Sequence, residues 1–154
     1  MSGHKIDLGC GGHKKVGFTG IDLRADLKPD IVHDITKGIP FPENSVEEVF
    51  SSHFLEHLSF QAMKDVVANL VPVCMDGAVV EFLVPLNLPD PAHLQLLDYN
   101  WITDVISASG GAFTLRSYSV DVVHTTSILA HEYGRPFSYE QARAVFKIRK
   151  GVVK

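Results

Sequence analysis

Short apolar runs alternate with polar, helix-periodic stretches along most of the chain. Runs at residues 6–8, 18–21, 31–32, 46–50 and 79–84 read as five strands, the last rich in β-branched residues. Residues 113–115 and 145–148 are candidates for two more. Between the fourth and fifth runs, Phe60, Met63, Val67 and Leu70 recur at helical spacing with Asp65 and Asn69 between them. A second helix is expected from Asp90-Pro91, a capping carboxylate followed by proline at the first helical position. It carries Leu94, Leu97, Trp101 and Val105 and stops at Gly110-Gly111. Ser138-x-x-Gln141 has the form of a capping box for one short helical turn. Strands alternating with helices predict an α/β sandwich built on a largely parallel sheet.

One connection is unusually short. Only residues 12–19 separate the first glycine turn from the second strand, too few for a helix and two connections. A loop or a single helical turn is expected there, leaving part of one sheet face without its cover. An apolar face of that kind finds a partner, so a homodimer or a C-terminal segment folded over it is expected.

The 154 residues are expected to form one domain, 1–154. Apolar residues make up 45% and charged residues 21%, the balance of a globular protein rather than a disordered one. A net charge of −4 argues against non-specific nucleic-acid binding. The basic clusters are Lys14-Lys15 and the group Lys147, Arg149, Lys150 and Lys154, which read as solvated. Cys10 and Cys74 belong to no C-x-x-C pair, and a reduced, cytoplasmic setting is expected. No apolar leader core stands in the first residues. Residues 78–86, the longest apolar stretch, are broken by Glu81 and Pro85 and are too short to span a bilayer.

The chemistry concentrates at Lys5-Ile6-Asp7-Leu8-Gly9-Cys10-Gly11-Gly12 and Gly20-Ile21-Asp22. A strand, a glycine turn and a second strand ending in a carboxylate suit an adenosine-type ligand: glycine admits close backbone approach, and the carboxylate accepts from ribose hydroxyls. A dinucleotide fingerprint starting at Gly9 would need glycine at position 14, where Lys14 stands, so a nicotinamide or flavin site is disfavoured.

Asp7-Leu8-Gly9-Cys10-Gly11 resembles motif I of the class I S-adenosylmethionine-dependent methyltransferases. The likeness continues through Gly20-Ile21-Asp22, Asp34-Ile35, residues 39–45, residues 52–58 and residues 73–78, covering about Lys5 to Pro85. It implies a Rossmann-like sandwich: a mostly parallel seven-stranded sheet with helices on both faces. It also implies S-adenosyl-L-methionine as cofactor. Asp7 would help hold the methionine amine. Gly9, Cys10 and Gly11 would wrap the carboxypropyl and ribose part, with Ser52 at the neighbouring strand end. Asp22 would bind the ribose hydroxyls and Asp34 the adenine amino group, with Leu23 and Ile35 flanking the ring. The expected activity is methyl transfer to a small-molecule or glycan-like acceptor. A cofactor-binding module without turnover is the alternative.

A general base is needed only for a weakly acidic acceptor. His53, just past the fourth strand, and His93, after the fifth, are the candidates. The polar residues His124, Thr125, Thr126, His131, Glu132 and Tyr133 are candidates to roof an acceptor pocket. His53-Phe54-Leu55-Glu56-His57 also spells H-x-x-E-H, a zinc-hydrolase pattern. That pattern needs both histidines on one helix face and a third ligand downstream. Val49-Phe50-Ser51-Ser52 before it reads as strand, which places His53 in a turn, and no metal is expected.

Overall fold

The computed structural model describes residues 2–90, 92–125 and 137–151. Its strands are β1 (His4–Leu8), β2 (Thr19–Asp22), β3 (Ile31–Val32), β4 (Val46–Ser52), β5 (Cys74–Leu86), β6 (Phe113–Thr125) and β7 (Phe137–Ile148). They form one seven-stranded sheet in the order β3-β2-β1-β4-β5-β7-β6. β1 to β5 pair in parallel, and β7 runs antiparallel to both β5 and β6. The mostly parallel sheet is as expected.

Helix α1 (Phe60–Val73) links β4 to β5. The Ser59 hydroxyl caps it by accepting the Ala62 N–H at 3.1 Å. Its buried stripe is Met63, Val66, Val67, Leu70 and Val73. Phe60, expected on that stripe, is 46% exposed. β5 follows at once. Cys74 pairs with Val46 and Val79 with Glu48, so residues 75–78 form an irregularity inside the strand, with Gly77 at φ 86°.

Three expectations are corrected. The second helix, α2 (Trp101–Ala108), begins at Trp101 and not at Asp90. Asp90 instead caps a local turn, its Oδ1 accepting the Ala92 N–H at 2.8 Å. The Leu94 and Gln95 amides donate to the Glu56 carbonyl, and the Asn87 amide to the Leu97 carbonyl, so these amides bond outside any helix. Ser138-x-x-Gln141 starts no helical turn: both residues lie in β7, where Ser138 pairs with His124 and Gln141 with Pro85 and Asp121. A strand bonded on both sides overrides a local capping signature. β6 and β7 also run far beyond the short segments expected.

The helical cover is one-sided. α1 and α2 pack together on one face, over Val80, Phe82, Phe146 and Ile148. Among the described residues there is no second helical layer, because residues 9–18 and 23–30 are too short to hold it, and only a 3-10 turn, Ala25–Leu27, forms there. Right-handed crossovers carry these segments to the opposite face. That face is finished with charge. Lys15 lies over the Phe18 and Phe50 rings at 5.0 and 4.5 Å and reaches Glu81 at 3.6 Å. Arg143 meets the same carboxylate, and Lys5 pairs with Glu48 at 3.2 Å. Among the described residues the C-terminal end does not cover it: the Lys150 Nζ binds Asn44 and the Pro72 and Cys74 carbonyls at the far end of the sheet. Among the described residues no helix is long and apolar enough to cross a membrane.

Candidate functional site

The carboxyl ends of β1, β2 and β3 open into a cleft. Gly9, Asp22, Leu23, Asp34 and Ile35 line it together, as the sequence predicts. Ile21, His33, Thr36, Phe54 and Leu58 complete the wall. Gly9 sits at φ 63°, and a Cβ there would stand 2.1 Å from the Phe54 ring. Glycine is therefore required twice over, for backbone conformation and for space. The Gly9 and Cys10 amides donate to the Ile21 carbonyl, which binds the glycine loop to β2. Gly20 completes this contact, because a Cβ on it would lie 2.7 Å from the Cys10 sulfur.

Asp22 is set by two amides. Its Oδ2 accepts the Gly11 N–H and its Oδ1 the Arg24 N–H, both at 2.9 Å. Asp34 caps the 3-10 turn Ile35–Lys37, its Oδ1 accepting from the Thr36 amide at 3.1 Å and hydroxyl at 2.6 Å. These bonds, the hydroxyl's first, hold the carboxyl below its usual range. Leu23 is 66% exposed beside the cleft, whereas Ile35 belongs to the core at 5%.

Asp7, Cys10, Gly11 and Ser52 are not on the cleft wall. Asp7 is 3% exposed, and its Oδ2 accepts the Lys15 N–H at 2.7 Å, tying down the glycine loop from behind. Burial raises its carboxyl pKa despite that bond and the nearby Lys15. Cys10 and Gly11 line a second hollow with Lys14, Leu27, Lys28 and Asp30. Burial, with Asp7 and Asp22 adding to it, pushes the Cys10 thiol up to about 11, so the sulfur stays protonated at neutral pH. Ser52 ends β4 opposite Leu83.

No protein-family model matches the chain, and no curated protein matches it. Solved structures do. A SAM-dependent methyltransferase from Archaeoglobus fulgidus superposes with a TM-score of 0.67 at 15% identity, over 95% of this chain and 86% of that one. One from Methanosarcina mazei gives 0.72 at 11% identity, over 96% and 93%. A Haemonchus contortus N-methyltransferase, in complex with phosphomonomethylethanolamine and S-adenosylhomocysteine, gives 0.63 at 12%, over 97% of this chain and 49% of that one. This is the class I methyltransferase fold.

In this methyltransferase fold the turn after β4 carries His53, Glu56 and His57. His53 adopts φ 54°, and its amide donates to the Leu83 carbonyl at 2.9 Å. Residues Leu55–His57 form a 3-10 turn, so His53 and His57 do not share the face of an α-helix and the H-x-x-E-H pattern is not realised as a helical pair. His53 Nε2 bonds Gln141 Oε1 on β7, His57 Nδ1 the Ala92 carbonyl, and His93 Nδ1 the Leu88 carbonyl. Burial is the main cause lowering the His53 pKa. Glu56 is 1% exposed, and burial pushes its carboxyl up to about 7. Phe54 and Leu58 face the cleft from the same turn. Of the polar segment expected to roof the site, His124 pairs with Ser138 at 2.6 Å in the β6–β7 hairpin. Thr126, His131, Glu132 and Tyr133 lie outside the described residues.

Residue-type reasoning missed Phe54, Leu58, His33 and Thr36 on the cleft wall, and it read Glu56 only as part of an H-x-x-E-H pattern, not as a buried carboxyl. Asp34-x-Thr36 is a visible capping pattern. Nothing local to Phe54 reveals its contact with Gly9.

Proposed function

We propose that this protein transfers a methyl group from S-adenosylmethionine to a small-molecule or glycan-like acceptor. The observation that carries this reading is the convergence of Gly9, Asp22 and Asp34 on one cleft at the carboxyl ends of adjacent parallel strands. The residues fit a cationic nucleoside. Two carboxylates and no lysine or arginine line the cleft, and Gly9 keeps it free of a Cβ. The fold neighbours carry that cofactor class in their names, and one was solved with S-adenosylhomocysteine and a small-molecule partner.

S-Adenosylmethionine supplies a methyl carbon already activated by its sulfonium. Asp22 would hold the ribose hydroxyls with the lone pairs that Gly11 and Arg24 leave free. Asp34 would accept the adenine amino group through Oδ2, with Leu23 laid against the ring and Ile35 beneath it. Asp7 would steady the methionine end through the loop it anchors, where Cys10, Gly11 and Ser52 surround the chain. Alignment of acceptor and sulfonium accounts for about 7–11 kcal/mol of such reactions, so positioning is the main task of these residues. For an acceptor that must lose a proton, His53 and His93 are the candidate bases.

A binding module without turnover is the second reading. It is favoured by the loop that replaces the first crossover helix, which leaves no helix N-terminus behind the glycine turn. Thermal shift with S-adenosylmethionine and S-adenosylhomocysteine tests both. A rise in melting temperature that Asp22→Ala abolishes supports the site, and an unchanged rise in that variant overturns the ribose assignment. Binding with no methyl transfer across a broad acceptor panel selects the second reading.

The rest of the proposal follows from surface and composition. The chain acts as one domain in the cytoplasm, without nucleic acid, given a net charge of −4. It pairs as a homodimer through the sheet face that carries no helix.

A further inference from the structure

We propose that Glu56, His57 and His93 form a binding site for a divalent transition-metal ion of the zinc class. One ligand atom from each lies within 4.8 Å of the others. The inference stands apart from methyl transfer, because metal uptake is measured without cofactor or acceptor.

The first support is Glu56 itself. Its side chain is inaccessible, and neither carboxylate oxygen has a hydrogen-bond partner. A buried carboxylate without a partner is costly unless a cation or proton satisfies it. The second support is the state of the imidazoles. The Ala92 and Leu88 carbonyls can only accept, so His57 and His93 donate to them through Nδ1–H, at 2.9 and 2.8 Å. Each neutral ring then carries an unprotonated Nε2, the form that ligates metals, held by the outer hydrogen bond that metal-bound histidines make.

The arrangement is compact and nearly complete. The His57 and His93 rings meet at 84° with centroids 4.8 Å apart. His57 Nε2 is 3.8 Å from Glu56 Oε2, and His53 Nδ1 is 3.9 Å from the same oxygen. His53 donates through Nε2–H to Gln141 Oε1, so its Nδ1 is unprotonated as well. Neutral imidazoles held this way set three unprotonated nitrogens about one buried carboxyl group, which engages them only through a proton of its own or a shared cation. Zinc bonds of about 2.0–2.2 Å require the ligand atoms to close to about 3.4 Å. His57, with 41% of its side chain exposed, is free to make that adjustment. Two imidazoles and a carboxylate form a donor set that zinc uses with a fourth position open. The assignment makes His93 a ligand and leaves His53 as the base candidate.

The full-length protein, freed of metal by chelator and dialysed, is titrated with zinc by calorimetry and with cobalt by visible absorption. The expected result is one equivalent bound at micromolar ion, with the d–d bands of four- or five-coordinate cobalt. His57→Ala and His93→Ala are each expected to weaken binding by at least about 100-fold, beyond the loss from removing an outer-shell partner. Glu56→Gln is expected to remove the same bands. Circular dichroism and metal-free melting confirm that each variant is folded. If Glu56→Gln does not fold, the loop variant His93→Ala carries the test. No stoichiometric binding at sub-millimolar ion overturns the site and leaves Glu56 as a proton-held carboxyl. Unchanged binding in the His57→Ala/His93→Ala double variant overturns it too, and assigns the uptake to other histidines.

Discussion

Asp22 and Gly9 divide the work of the cleft between charge and space. Asp22 is oriented by two backbone amides before any ligand arrives, so its lone pairs are pre-aimed. Gly9 lies close against the Phe54 ring, and both line the cleft with Asp22. Gly9→Ala is expected to cost about 2–3 kcal/mol, from the left-handed backbone and from displacement of Phe54. Adding Phe54→Ala should relieve the steric part and leave the backbone part of about 1–2 kcal/mol. Chemical denaturation of the single and double variants measures both, and purely additive losses would refute the contact. The carboxylates and the glycine were legible because each is a local demand on residue type. Phe54 was not, since an aromatic residue in a turn has no sequence mark for the neighbour it packs upon.

Among the elements, α1 followed its pattern and the C-terminal half did not. Met63, Val67 and Leu70 state a buried stripe within one continuous segment, and α1 buries them, though Phe60 at the same spacing stays exposed; the Ser59 cap is seen in the structure. Ser59→Ala is expected to destabilise the protein by about 1 kcal/mol, lowering the melting temperature by about 2–4 °C. Calorimetry checks this, and an unchanged melting temperature would show that the cap bears no weight. Ser138-x-x-Gln141 carries an equally plausible local signature, yet its residues stand in β7. Gln141 is paired on both sides, with β5 and β6, and Ser138 with β6. Asp90-Pro91 likewise caps a turn and not a helix, because the Leu94 and Gln95 amides are taken by the Glu56 carbonyl. A helix is written by its own periodicity, whereas a strand and a wrapped loop depend on partners distant in the chain.

At the scale of the molecule, the sheet has a helical side and a charged side. The connections at residues 9–18 and 23–30 are too short for helices, and Lys15, Glu81 and Arg143 stand where helices would pack. The apolar remainder there includes Val79, 39% exposed, and Val16 in the covering loop, 94% exposed. A homodimer through this face would bury ion pairs against their counterparts in a second copy, so its association should weaken as salt rises. Sedimentation velocity at micromolar concentration should show a species of twice 16.9 kDa at low salt. A single monomeric species at both low and high salt would end the proposal of pairing.

The chain by itself determined the parallel half of the sheet, the glycine loop, α1 and the acidic residues that converge on the cleft. Each is encoded in contiguous residues whose conformational or chemical requirement is local. The short first connection had already announced the uncovered sheet face, whereas tertiary structure alone decided the length of the β6–β7 hairpin, the contact of Phe54 with Gly9, and the approach of His93 to Glu56 and His57. Each of those depends on backbone groups or side chains meeting across the sheet, and no single stretch of sequence holds both partners.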